Sequence, residues 1–464
     1  MRGPWMRFTI SARGFPGWSI RSVTAPWLRR VSPTSARLTA GWSARSFKPG
    51  FTVDAKPTSP ADTPAVPRGI WGSTAFVWLL FLLALGVRLA YISFLKEGIY
   101  FSDFRAYDAA ARSLLAGQGY GLDYVRPPLY PLFLAAVYWL FGPHFWAIRG
   151  VQALLGAVAT VFVYFLGRRV LGELAGRFAA LIAAFYPYYI FIAGLDYPTL
   201  LTTLFLILTA WFLLRAETGR SWLHVAAAAL FLGLAALAVP VSLVFLPFMI
   251  VWLVFVPRMK WSRRAGLALI SAAVVALTLT PWTWYNYQRF GQFVPIDARA
   301  AKHLPAFGEA AEEEAGEVES AGVSGRLRGI LENPGPFLER YSREFLHFWT
   351  FVPDRVVTQE ESYRQRIHQQ DQRMVVDHSL TSSWLNYVSI LSYGPVFLLS
   401  LVGLAAGLAH WRPLSLILML LLSQALGYSF FFTQVRYRLP VEFCLMIFAG
   451  GGAAFLINKY LIRK

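Results

Sequence analysis

Runs of about 20 consecutive apolar residues recur along this chain, and nothing else in it narrows the choice of fold so far. A helix of that length spans roughly 30 Å, the thickness of a bilayer's hydrocarbon core. In lipid a helix also satisfies its own backbone hydrogen bonds, which an open strand cannot do. Ten runs qualify, at 75–95, 144–167, 174–192, 197–215, 222–239, 240–256, 264–284, 385–409, 413–433 and 438–458. The alternation of an outer-membrane barrel is absent. The expected fold class is therefore an all-α polytopic membrane protein with about ten transmembrane helices. The single cysteine, Cys444, lies inside an apolar run and excludes a disulfide or cysteine–zinc site within the chain.

Charge orients the bundle. The net charge of +18 would suit a nucleic-acid partner, but the basic residues gather at span ends, as positive-inside placement predicts, and no nucleic acid is implied. The connectors "RRVLGELAGR" (168–177), "RAETGR" (215–220), "PRMKWSRR" (257–264) and "HWRP" (410–413) are net basic. All fall in the cytoplasm, with both termini, if there are ten spans and "PPLYPLFLAAVYWLFG" (127–142) does not cross. That segment is short and opens on two prolines, so it reads as a juxtamembrane or re-entrant helix. Residues 1–53 hold nine Lys/Arg and no acid. With its Ser- and Pro-rich continuation, the stretch 1–68 reads as a disordered basic segment, with the composition of an organelle transit peptide as another reading.

The chain then divides into a membrane module at 69–285 with a first outer loop at 96–143, a polar outer segment at 286–384, and C-terminal spans at 385–464. Within 286–384 an acidic run, "EAAEEEAGEVES" (309–320), precedes amphipathic stretches such as "FLERYSREFLHFW", expected as helices on the membrane face. "AGGGAA" (449–454) and "GLAAG" (403–407) read as helix-packing patches.

Charged groups at the outer face need a reason, because burying them is costly. Asp103 and Tyr107 are four apart on an expected helix and share a face. Asp108 and Arg112 have the same spacing and suit a structural pair. Asp103 is either a helix cap or a chemical group. Asp196, in the turn "AGLDYP" (193–198), carries the same two readings. Arg436 and Arg438 in "QVRYRLP" (434–440) stand at the outer entrance of the last span. They either snorkel to lipid phosphates or hold the phosphate of a lipid-linked substrate, which a planar guanidinium suits. Arg88, Arg126 and Arg149 lie at the same level. Seven scattered histidines show no metal-binding spacing; His303, beside Lys302, reads as a surface residue.

Taken in order, "SDFRAYDAAARSLLAGQGY", "RPPLYPLFLAAVYWLFG", "IRGVQALLGA", "LDYPTLLTTLF", "TPWTWYNYQRFGQFVP" and "RYRLP" make the chain resemble the GT-C glycosyltransferases that use polyprenyl-phosphate sugars. The resemblance is to the protein O-mannosyltransferase and ArnT-like group. It covers about 75–300 and, less closely, the last spans. It implies a GT-C bundle, a polyprenyl-phosphate sugar donor, and a lipid, protein or glycan acceptor on the outer face. Asp103 takes the place of the family's catalytic base, and Asp196 that of a second acid near the donor, leaving room there for a divalent metal. Arg436 or Arg438 would meet the donor phosphate, joined by Arg126, Arg88 and Arg149. Tyr107, Tyr130 and Tyr197 would line the acceptor or sugar. The family pattern is broken at Val125, where relatives carry an acid, and at "PWTWYNY", where many carry Arg-Asn after Pro-Trp.

The resulting expectation is an inverting transfer in a plasma membrane of bacterial inner-membrane type, with the active site on the extracytoplasmic side. The alternative is a transporter or flippase for a lipid-linked envelope precursor, although no internal repeat is visible.

Overall fold

The computed structural model describes residues 74–95, 102–121, 126–216, 221–256, 259–291, 293–297, 330–331, 334–352, 384–431 and 433–462. The 1–68 segment, the acidic run and His303 lie outside the described residues. The helices are α1 (Thr74–Ser93), α2 (Ser102–Leu115), α3 (Leu129–Phe141), α4 (Phe145–Leu171), α5 (Glu173–Phe185), α6 (Pro187–Phe191), α7 (Thr199–Leu214) and α8 (Ser221–Ala238). After them come α9 (Phe245–Phe255), α10 (Trp261–Phe290), α11 (Pro334–His347), α12 (Trp384–Ala406), α13 (Trp411–Ser429), α14 (Val435–Arg438) and α15 (Glu442–Ile457).

Every expected span is helical, yet not every one is long enough alone to cross a bilayer. Six helices are, among the described residues, or seven if the bent pair Glu173–Phe185 and Pro187–Gly194 counts as one span. Three shorter apolar helices, Leu129–Phe141, Thr199–Leu214 and Pro240–Phe255, stand beside them. The expected total of ten is thus not reached by length and composition alone. The chain is an integral membrane protein by these helices. The 53° bend has a local cause. Tyr186, preceding Pro187, is driven to an extended conformation with φ −68° and ψ 116°, which breaks the helical ladder. The span expected over 174–192 is therefore bent. At 13 residues α3 reaches only about 20 Å.

Small residues let the core helices approach. A Cβ placed on Gly403 of α12 would strike the Phe448 carbonyl oxygen and the Gly452 nitrogen of α15, so only glycine fits there. Both glycine patches foreseen in the sequence meet at this crossing.

The basic connectors gather at one end of the bundle. Arg169 donates to the Leu214 carbonyl at 3.0 Å, Arg263 to the Ser221 hydroxyl at 2.7 Å, and Leu171 packs on Gly407. At the opposite end Tyr91 of the first helix and Leu95 just beyond it lie against Gly194, and the Tyr189 hydroxyl donates to the Leu439 carbonyl at 3.1 Å. The outer-loop residues and the entrance to the last helix therefore meet at that second end. There α2 lies on α3, tied by a Tyr138–Asp108 hydrogen bond of 2.5 Å and by the expected Asp108–Arg112 ion pair of 2.9 Å. The Trp282 indole donates to the Ile296 carbonyl at 2.7 Å, folding the end of α10 back on itself, and Tyr120 packs edge-on against that indole.

Candidate active site

Asp196 is presented by a short 3-10 turn, Ile192–Gly194, that follows the bend at Pro187. Gln152 of α4 holds this turn, donating from Nε2 to the Leu195 carbonyl at 2.7 Å and the Ala193 carbonyl at 3.4 Å. Its Oε1 in turn accepts from the Tyr130 hydroxyl at 3.4 Å. The residue preceding α7 is Pro198, with no side-chain cap, so Asp196 does not serve as the helix cap that the sequence allowed. Its side chain is 5% exposed, and its Oδ1 accepts no hydrogen bond among the described residues. Burial pushes the Asp196 carboxyl up to about 7, with the nearby Arg149 charge opposing and Asp108 adding to the rise. A carboxyl held there is poised to exchange a proton near neutrality.

Around this turn the three expected tyrosines form one wall. The rings of Tyr107 and Tyr130 are 5.1 Å apart and edge-on, and Tyr107 and Tyr197 are 6.2 Å apart. Two guanidiniums flank the wall: Arg126 stands 5.4 Å from the Tyr107 ring and Arg436 stands 5.5 Å from the Tyr197 ring. Arg149, fully buried, also packs 5.6 Å from the Phe145 ring. The structure thus brings Asp196, Tyr107, Tyr130, Tyr197, Arg126, Arg149 and Arg436 to one place. Asp103 stands on the first turn of α2, the helix whose later residues Phe104 and Tyr107 reach this wall. Its side chain lies outside the described residues.

Two arginines expected at the donor phosphate are elsewhere. Arg438 is 0% exposed; its Nε donates to Glu442 at 2.6 Å, and its Nη1 to the carbonyls of Phe348 and Thr350 at 3.0 and 2.9 Å. The guanidinium carbon lies 3.5 Å from the centre of the Tyr393 ring. A group so enclosed is committed to protein partners. Arg88 is likewise buried between helices, donating to the Ala84 carbonyl at 2.9 Å, the Thr160 hydroxyl at 3.4 Å and the Ala183 carbonyl at 3.3 Å. Its seat is cut by Gly156, where a Cβ would stand 2.6 Å from the Arg88 Nε. The expectation overlooked that an arginine at the right depth can face inward.

Among the described residues, which do not include the Asp103 side chain, the donor set does not fit a divalent metal. Among the described residues no group of three or more His, Cys, Asp or Glu could hold one. The carboxylate that most influences Asp196, Asp108, is engaged by Arg112 and Tyr138. Magnesium and calcium sites use several oxygens, so no step below runs through a metal.

Residues 125–285 match the family model described as dolichyl-phosphate-mannose-protein mannosyltransferase. None of the curated protein sequences matches the chain. Solved structures with the same fold include the archaeal oligosaccharyltransferase AglB from Archaeoglobus fulgidus, in complex with an inhibitory peptide and a dolichol-phosphate. That likeness has a TM-score of 0.53 at 13% identity, and covers 84% of this chain and 51% of that one. ArnT from Cupriavidus metallidurans bound to undecaprenyl phosphate gives a TM-score of 0.52 at 17% identity, covering 84% of this chain and 62% of that one. The chain thus spans between half and two thirds of the length of these neighbours.

Proposed function

From a chain with the GT-C fold, whose middle third matches the protein mannosyltransferase model, we infer a membrane glycosyltransferase that uses a polyprenyl-phosphate-linked sugar. The observation that carries this reading is the convergence of the Asp196 turn, three tyrosines and the guanidiniums of Arg126 and Arg436 at the end of the bundle opposite the basic connectors. Such a site offers cations for a phosphate and acids for a hydroxyl.

The proposed reaction is an inverting displacement. The acceptor oxygen attacks the anomeric carbon, the bond from that carbon to the phosphate oxygen breaks, and the electron pair leaves with the polyprenyl phosphate. Asp103 takes the acceptor proton as general base. Arg436, with Arg126, stabilises the charge on the departing phosphate, worth most where water is excluded. Tyr107, Tyr130 and Tyr197 supply flat faces and hydroxyls to the sugar, and Asp196 serves as the second acid, near the donor. The acceptor, lipid, protein or glycan, meets this site on the extracytoplasmic face. Incubating the purified protein in proteoliposomes with radiolabelled polyprenyl-phosphate sugars tests the reading. Release of polyprenyl phosphate with loss of donor supports it; movement of intact donor across the membrane without cleavage would replace it with a flippase.

A further inference from the structure

We propose that Glu344 and Arg438 are positioning residues that brace the 433–438 connector, so that the Arg436 guanidinium is held against Tyr197; this rests on the reading of Arg436 as the donor-phosphate ligand. The connector joins α13 to the last helix and has an extended residue, Gln434, at φ −140° and ψ 155°. Alone, so short a link would leave Arg436 free to swing. It is instead gripped on both sides of Arg436 by one neighbouring segment, the end of α11 and the residues after it. On one side the Thr433 amide donates to the Glu344 Oε2 at 2.8 Å, and the Thr433 hydroxyl to the same oxygen at 2.6 Å. On the other, Arg438 donates to the carbonyls of Phe348 and Thr350 while paired with Glu442.

Between the two anchors runs an unbroken stack. The Phe348 ring is 6.4 Å from Tyr428 and inclined by 24°. Tyr428 and Tyr437 are 4.9 Å apart and parallel to within 2°. The Arg436 guanidinium stands 5.2 Å from the Tyr437 ring, donates to its hydroxyl at 3.4 Å, and stands 5.5 Å from the Tyr197 ring. The cation thus contacts two tyrosine rings, and one of them, Tyr437, is linked through Tyr428 to Phe348, the residue after α11.

A buried ion pair argues poorly for stability, because well-packed apolar residues of similar size do as well or better. What it supplies is registry: two charges and two carbonyls can satisfy one another in few arrangements. Arg438 and Glu442 are both buried, with 0% and 1% side-chain exposure, beside a residue whose guanidinium orientation matters for recognising phosphate. Registry explains that placement and stability does not.

The test measures binding of undecaprenyl phosphate to the purified full-length protein in detergent, together with its thermal unfolding. Four proteins are compared: the parent, Arg436→Met, the paired replacement Arg438→Met/Glu442→Leu, and all three changes together. Replacing the pair is expected to leave the unfolding midpoint within a few degrees of the parent's while weakening binding about tenfold, and to weaken it no further once residue 436 is Met. Parent-like binding in the paired replacement overturns the brace, as does an equal extra loss in the triple variant. If Arg436→Met binds like the parent, the phosphate reading of Arg436 fails and the brace with it. Should the paired replacement not fold, Thr433→Val removes the hydroxyl's contacts with Glu344 and the His347 ring while keeping the Thr433 amide bond to Glu344. It is expected to weaken binding about threefold and again add nothing on the Met background; parent-like binding, or the same loss on both backgrounds, refutes the brace.

Discussion

The guanidinium carbon of Arg436 lies 5.5 Å from the centre of the Tyr197 ring, so the entrance to the last helix meets the turn that carries Asp196. Residues from the middle and the end of the chain share one wall because of this contact. Its strength can be tested directly. Tyr197→Phe keeps the aromatic face, whereas Tyr197→Leu loses a cation–π interaction worth about 0.5–2 kcal/mol. Binding of undecaprenyl phosphate is expected to be near the parent's in the first variant and several-fold weaker in the second. Equal binding in both would show that the ring face does not matter to the cation.

Asp103→Asn is expected to lower sugar transfer by roughly 100- to 10,000-fold, the usual worth of a general base. Donor binding and the unfolding midpoint should stay near those of the parent. The measurement is donor consumption under single-turnover conditions; wild-type turnover in this variant would remove Asp103 from the mechanism.

Asp196 predicts a pH dependence of stability. Its carboxyl is raised from 3.8 to about 7 by burial, so the folded protein holds a proton that the unfolded chain has released between those values. The sign follows: the contribution is fully present below about pH 4 and is lost as pH rises through 7. The unfolding midpoint of the parent in detergent should therefore carry a component that falls over that window. In Asp196→Asn that component should vanish, and an unchanged pH profile would contradict the burial of this group.

Gly156→Ala should destabilise the protein by about 1–3 kcal/mol, because the added methyl meets the Arg88 Nε at 2.6 Å. Arg88→Met, with a flexible apolar chain in the same seat, should restore much of that loss in the double variant. Donor binding should stay parent-like in every one of these proteins that folds, since Arg88 is enclosed by α1, α4 and α5. A loss of binding in the folded double variant would return Arg88 to the donor site.

The helices were legible in the sequence because lipid demands long apolar runs, and the Asp108–Arg112 pair because spacing of four sets two side chains on one face. The three tyrosines were named as lining the acceptor or sugar, but nothing in their spacing shows that their rings meet. Sequence reasoning went astray where direction around a helix mattered. Arg436 and Arg438 share the motif "RYR", yet one reaches Tyr197 and the other turns inward to Glu442. The signal for this was present: Glu442, an acid at the head of an apolar span, stands four residues after Arg438 and needs a cation. Glu344 gave a weaker sign, since it is one of two acids on an amphipathic stretch and spacing does not announce that it, and not Glu339, will be buried. The bend at Tyr186 was readable from Pro187. Gln152, an amide inside an apolar run, was the overlooked hint that a backbone turn needed holding.

The wall between Tyr197 and Arg436 is assembled from parts that leave the ribosome far apart in time. A nascent chain already threaded through its middle helices has the acid turn but no guanidinium from the final connector to face it. Under the proposed function, catalytic competence therefore arises only when the last helix has entered the membrane and packed, and unfinished chains are harmless to the lipid-linked sugar pool around them.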